Sequence, residues 1–274
     1  MKIFLNLLII GIIGGYLLSG CCQKKEPTIL DELQSVESKA LQGDSKAQEA
    51  LAFKYIKGDG VPMDLQKASI WYEKSAAQGN PIAQNNLGNL YIRGEGVPKD
   101  LEKAAMWLEK SANQGNIQAQ FNLGVMYANG LGVEKDLNKA KQWYEKAAAK
   151  NDNKAQYNLG VMHLYGEGLS RNVTAAATWF EKAANLGDPF AKNMLAVTYA
   201  ERNINLDKGI ELVEPLLQLN PQNADVLDTL GWLYYKKGDL KTASSYLEQA
   251  VDLKPDWQQA KSHLDIVKQS SKRK

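Results

Sequence analysis

One spacing governs this chain. Trp71, Trp107, Trp143 and Trp179 stand 36 residues apart. Gly58, Gly94, Gly130 and Gly166 keep the same step, as do Gly60, Gly96, Gly132 and Gly168. Ala47, Ala83, Ala119, Ala155 and Ala191 also repeat, and so do Leu51, Leu87, Leu123, Leu159 and Leu195. Tyr55, Tyr91, Tyr127 and Tyr199 agree, with His163 in the fourth copy. A unit this short cannot bury its apolar face alone. Three or more must stack to make one continuous core.

Each unit reads as two antiparallel helices with defined ends. Asp44, Asn80, Asn116, Asp152 and Asp188 precede the first helix. Their short side-chain oxygens suit an N-cap, where backbone N–H groups lack intrahelical partners. Pro81 and Pro189 follow two of these caps, at a position where a missing N–H costs nothing. Ala83, Leu87, Leu90 and Tyr91 recur at helical steps. The first glycine of each pair then stops the helix in the left-handed conformation. Asp64, Asp100, Asp136 and Asn172 cap the second helix, which ends at Gly79, Gly115, Asn151 or Gly187. Small Ala and Gly positions let neighbouring helices approach, and Trp and Tyr fill the space between hairpins.

The stretch Ala119-Gln120-Phe121-Asn122-Leu123-Gly124-Val125-Met126-Tyr127 is followed by Gly130-Leu131-Gly132-Val133. Asp136-Leu137-Asn138-Lys139-Ala140 and Trp143-Tyr144-Glu145-Lys146-Ala147-Ala148 complete the unit. It resembles the Sel-one-like repeat (SLR) family, a branch of the tetratricopeptide-type solenoids. The resemblance implies an all-α fold, a right-handed αα superhelix of helix-turn-helix repeats. Residues 44–187 supply four such units. The next unit loses both turn glycines, with Arg202 and Ile204 in their places. Residues 188–256 therefore read as two tetratricopeptide-like repeats, the second carrying Leu230-Gly231-Trp232-Leu233-Tyr234. Residues 30–43 read as an N-terminal capping helix, since Ala40 and Gly43 precede Ala76 and Gly79 by one period. Residues 257–274 read as a C-terminal capping helix and basic tail.

The first residues read as an address. Met1-Lys2 opens a mostly apolar run, Ile3 to Leu18, about the length of a signal-peptide core and short of a bilayer span. Leu18-Ser19-Gly20-Cys21 resembles the lipobox of bacterial lipoproteins. That resemblance implies cleavage of residues 1–20, lipidation at Cys21 and stable anchoring by two or three acyl chains. Cys22 follows, not Asp, which implies the outer membrane, facing the periplasm. Residues 21–29 read as the lipidated N-terminus and its tether.

Little in the chain suggests chemistry. Lys plus Arg is 33 against 31 Asp plus Glu, a net +2, too balanced for a nucleic-acid binder. Two Cys, both in the tether, and two His exclude a disulfide framework or a multi-Cys/His zinc site. His163 stands in a packing position, and His263 near the chain end, neither with a nucleophile beside it. Glu73, Glu109, Glu145 and Glu181 repeat as a solvated helix face. We expect no catalytic residue, no metal, no cofactor and no small-molecule substrate.

Function is therefore expected in the groove. In this superfamily the first helices line the concave face. Asn86, Asn122 and Asn158 fall at one groove position, and amides both donate and accept. They suit an extended peptide backbone, or alternatively bonds between repeats. Phe121 and Tyr157 precede two of them, while Tyr165 and Trp232 lie at other groove and rim positions. Aromatic anchors dominate many interfaces, although packing against the next repeat is the competing role. The reading is a lipid-anchored scaffold or adaptor for protein or peptide partners in envelope assembly, export or secretion. A surface-exposed or released factor acting on host cells is the alternative. An enzyme acting on β-lactams or the cell wall is the remaining one.

Overall fold

The computed structural model describes residues 29–272. Cys21 and the whole leader lie outside them. Among the described residues there are fourteen α-helices and no strand. Helix α1 (Ile29–Leu41) opens the array. The hairpins follow as α2 (Ser45–Lys57) with α3 (Leu65–Ala77), and α4 (Pro81–Arg93) with α5 (Leu101–Asn113). Next come α6 (Ile117–Asn129) with α7 (Leu137–Ala148), and α8 (Asn153–Tyr165) with α9 (Val173–Asn185). The last two are α10 (Pro189–Arg202) with α11 (Leu206–Leu219), and α12 (Ala224–Lys237) with α13 (Leu240–Leu253). Helix α14 (Gln258–Ser271) closes the chain.

The caps expected from sequence are in place. Asp44, Asn80, Asn116, Asp152 and Asp188 each accept a backbone N–H of the first helical turn. Asp64, Asp100, Asp136 and Asn172 do the same for the second helices. The accepted N–H bonds hold the Asp64 and Asp100 carboxyls below the usual carboxylate range. The paired turn glycines have separate reasons. Gly130 ends α6 with φ of 70°, a helix stop. Gly132 also has positive φ, and a Cβ there would lie 2.1 Å from the Leu101 carbonyl oxygen, so the turn runs hard against the preceding hairpin. In the fifth unit Asn203 and Asn205 take the left-handed conformation, at φ of 53° and 49°. These residues stand one place beyond the positions where Gly is missing.

Packing follows the same register. A Cβ at Gly88, Gly124 or Gly160 would meet Leu108, Tyr144 or Phe180 at 2.8, 2.6 and 2.5 Å. The glycine on α4, α6 and α8 thus receives a large buried side chain from its own second helix. The repeated tryptophans lie between hairpins, and Lys74, Lys110, Lys146 and Lys182 cover their rings at 4.2, 4.3, 3.7 and 4.2 Å.

A second column ties hairpin to hairpin. Gln48, Gln84, Gln120 and Gln156 are buried. Each donates Nε2 to the last turn of the preceding helix, at the carbonyls of Ala40, Ala76, Ala112 and Ala148. Such carbonyls have no intrahelical donor. Helix α1 is therefore bonded as a second helix would be. Gln78 and Gln114 in turn donate to the Oε1 atoms of Gln48 and Gln84, both at 2.8 Å. At the next two positions stand Lys150 and Leu186, and the Oε1 atoms of Gln120 and Gln156 have no partner.

Candidate functional site

The three groove asparagines do different jobs. Asn86 Nδ2 donates to the Tyr72 hydroxyl at 3.1 Å, and Asn158 bonds the Tyr144 hydroxyl. Both tyrosines are buried on the preceding second helix. Burial pushes each hydroxyl up to about 12. The intervening second helix carries Leu108 at that place, which offers no hydroxyl. Asn122 instead donates to Asn89 Oδ1 and accepts from Gln118 Nε2, both at 3.1 Å. In the fourth copy Phe180 replaces the tyrosine and Met194 replaces the asparagine. All three amides thus bond across a hairpin interface, Asn86 and Asn158 to a second-helix tyrosine and Asn122 to a first-helix amide. Asn122 is bonded only to amides of the first-helix layer.

The aromatic candidates also separate. Phe121, half-buried on α6, packs on Tyr144 at 5.9 Å between ring centroids, with Lys154 Nζ above it. Tyr157, half-buried on α8, contacts the rings of Phe180 at 5.7 Å and Phe190 at 6.5 Å. Burial raises its hydroxyl pKa, with Tyr165 and Asp188 adding to the effect. Tyr165 ends α8 and is exposed. Trp232 lies apart, on α12, stacked on His263 at 4.1 Å and Tyr235 at 4.8 Å. His263 Nδ1 lies 2.8 Å from a carboxylate oxygen of buried Asp228, so this cluster seats α14 on α12. His163 is half-buried with Nδ1 unpartnered, and burial, then Lys141, lower its pKa.

A cleft of about 390 Å³ opens beside Tyr157. Pro189, Phe190 and Met194 of α10 form one wall, and Leu216 and Leu219 of α11 another. Asn193, Asn220 and Asn223 stand among these apolar groups. Phe190 is 72% exposed and Leu219 is 85% exposed. Apart from Tyr157, sequence reasoning missed this place. The signal was Phe190 itself, where earlier copies carry Lys46, Ile82, Gln118 and Lys154.

The repeat model described as Sel1 repeat matches residues 45–80, 81–116, 117–152 and 153–188, more than half of the chain. The chain belongs to the Sel1 repeat family. A tetratricopeptide repeat model matches residues 205–264. The crystal structure of c5321, a protective antigen of uropathogenic Escherichia coli strains displaying an SLR fold, superposes with a TM-score of 0.75. It is 27% identical, over 86% of this chain and 51% of that one. A Sel1 repeat protein from Oxalobacter formigenes gives a TM-score of 0.65 at 28% identity, covering 81% of this chain and 94% of that one. The TPR repeat-containing protein PA4667 of Pseudomonas aeruginosa is 38% identical over 74 residues, 27% of this chain and 12% of that protein. The chain thus spans about half of c5321 and a small part of PA4667.

Sel1 and tetratricopeptide repeat proteins are generally protein–protein interaction scaffolds, and the fold is typical of non-enzymatic ones. Against this division the cleft has a definite address. Pro189 and Phe190 follow directly on the last Sel1 repeat, while Leu216, Leu219 and Val226 fall within the tetratricopeptide match. The cleft sits where one kind of repeat gives way to the other.

Proposed function

We propose that this Sel1 repeat protein is a lipid-anchored scaffold that holds a partner protein by an apolar segment seated in the cleft beside Tyr157. The observation that carries this reading is the pair Phe190 and Leu219, 72% and 85% exposed, on the wall of an apolar cleft of about 390 Å³. Well-packed aromatic and aliphatic anchors in such pockets supply most of the energy of many interfaces. Phe121 and Asn122 extend the surface one repeat further. Anchoring through Cys21 would place the scaffold at the periplasmic face of the outer membrane, serving assembly, export or secretion. Supporting the anchor is the run Leu18 to Cys21. Surface exposure with a role toward host cells draws support from the likeness to c5321, a protective antigen. Protease shaving of intact cells separates the two exposures.

The test of the cleft is photocrosslinking in cells from residue 190, with residue 145 on α7 as control. Adducts at 190 and none at 145 are expected, lost on Leu219→Asp. Equal adducts at both positions would place the working surface elsewhere.

A further inference from the structure

The second-helix layer shows a feature that the scaffold reading leaves unused. Met63, before α3, is 68% exposed; Ile70 on α3 is 52% exposed and Met106 on α5 is 43% exposed. Ile70 and Met106 share one register position, and the same position holds Gln142 and Thr178 in the later repeats. The positions matching Met63 hold Lys99, Lys135 and Arg171. Apolar side chains at these outward places are thus confined to the first two hairpins. Single exposed apolar residues are ordinary, but a run that fades with distance along an array asks what lies near its beginning.

The chain itself answers this. Helix α1 is bonded to α2 as a second helix, through Gln48 and the Ala40 carbonyl. Helix α1, the first described element, therefore lies in the same layer that carries Ile70 and Met106. From Cys21 to Ile29 the chain has eight residues. Eight residues reach at most about 29 Å however they are arranged. Resting on the anchor reading, we propose that the second-helix face of the first two hairpins lies against the phospholipid surface that holds the acylated Cys21. A tether so short keeps that face at a local concentration on the order of millimolar or above. Weak apolar contacts then suffice to orient the array. The flanking charges are mixed: Lys67, Glu73 and Lys74 on α3, and Glu102, Lys103, Glu109 and Lys110 on α5. The contact is apolar in origin and insensitive to salt.

The test uses the full-length, acylated protein in liposomes of phosphatidylethanolamine and phosphatidylglycerol. In a Cys22→Ser background, a fluorophore is attached at Ile70→Cys, Met106→Cys, Gln142→Cys or Thr178→Cys. All four sites are exposed, and circular dichroism checks each fold. A nitroxide-bearing lipid should quench positions 70 and 106 at least twofold more than 142 and 178, unchanged by added salt. Equal quenching at all four, with the protein acylated and floating with the liposomes, would overturn this inference and leave the anchor standing. A protein lacking the acyl mass and failing to float would overturn the anchor reading and the inference with it. Shielding of 70 and 106 that persists in detergent and grows with protein concentration would assign the stripe to a second copy, and likewise overturn it.

Discussion

Leu186 should be replaceable by Gln with a gain in stability. Gln78 and Gln114 each close a bond to a buried glutamine 30 residues earlier. Leu186 stands at the matching place 30 residues after Gln156, whose Oε1 has no partner. The backbone is already set. Leu186 has φ −85° and ψ 7°, against −82° and 2° at Gln78 and −82° and 0° at Gln114. A glutamine there should reach Gln156 as the other two reach theirs. Relieving a buried unsatisfied acceptor is worth about 1–3 kcal/mol. Leu186 is 49% exposed, so about 1 kcal/mol of apolar burial is lost with it. The net expectation for Leu186→Gln is about 1 kcal/mol of stabilisation. Gln114→Leu, the reverse change, should cost about 1–3 kcal/mol by orphaning Gln84 Oε1. The assay is urea unfolding followed by circular dichroism, with Gln156→Met as the second corner of a double-mutant cycle. In that background the benefit of Leu186→Gln should vanish. A gain that survives Gln156→Met, or a neutral Gln114→Leu, would refute the ladder as a source of stability.

Other outcomes follow from the same packing. Trp143, buried between hairpins, should cost about 3–5 kcal/mol on truncation to Ala, and Trp257→Ala at the start of α14 far less; equal shifts in the urea midpoint would contradict the stacked array. Asn158→Ala leaves the buried Tyr144 hydroxyl unpaired and should cost about 1–3 kcal/mol, more than Asn122→Ala, whose partners are other first-helix amides. Tyr72 and Tyr144 ionise only near 12 in the fold against 10 unfolded. The unfolded chain therefore loses these protons first, and stability present below pH 10 should decline as pH rises from 10 toward 12; the Tyr72→Phe, Tyr144→Phe double variant should show a shallower decline in an alkaline unfolding series.

Most of the fold was legible because its determinants are local. A cap needs one short side chain and the next turn of helix, so Asp64 and Asn80 could be placed from neighbouring residues. The turn at Gly130 and Gly132 was visible for the same reason, although the contact of Gly132 with the Leu101 carbonyl was not. Contacts between hairpins were harder. The glutamine column shows at a spacing of 36, yet its bonds join residues 30 and 8 apart. The asparagine column shows a uniform amide, while the structure gives its members different partners. What decides between them is the residue 14 places earlier, Tyr72, Leu108 or Tyr144, and that relation belongs to packing.

The site was harder to see for a related reason. A repeat reveals itself through what recurs, and the cleft is built from what does not. Phe190 replaces polar or aliphatic side chains at its register position, and Met194 replaces Asn. The lost turn glycines shorten the connection to α11, which carries Leu216 and Leu219 to the cleft wall. Met194 gives up the bond that Asn86 and Asn158 make, and Phe190 adds exposed apolar surface beside it. An array of identical units would have continued the Asn and Gly columns through this junction. The loss of the Asn and the turn glycines beside an exposed Phe and an exposed Leu is the physical ground for placing the partner there, ahead of the amides of the central repeats.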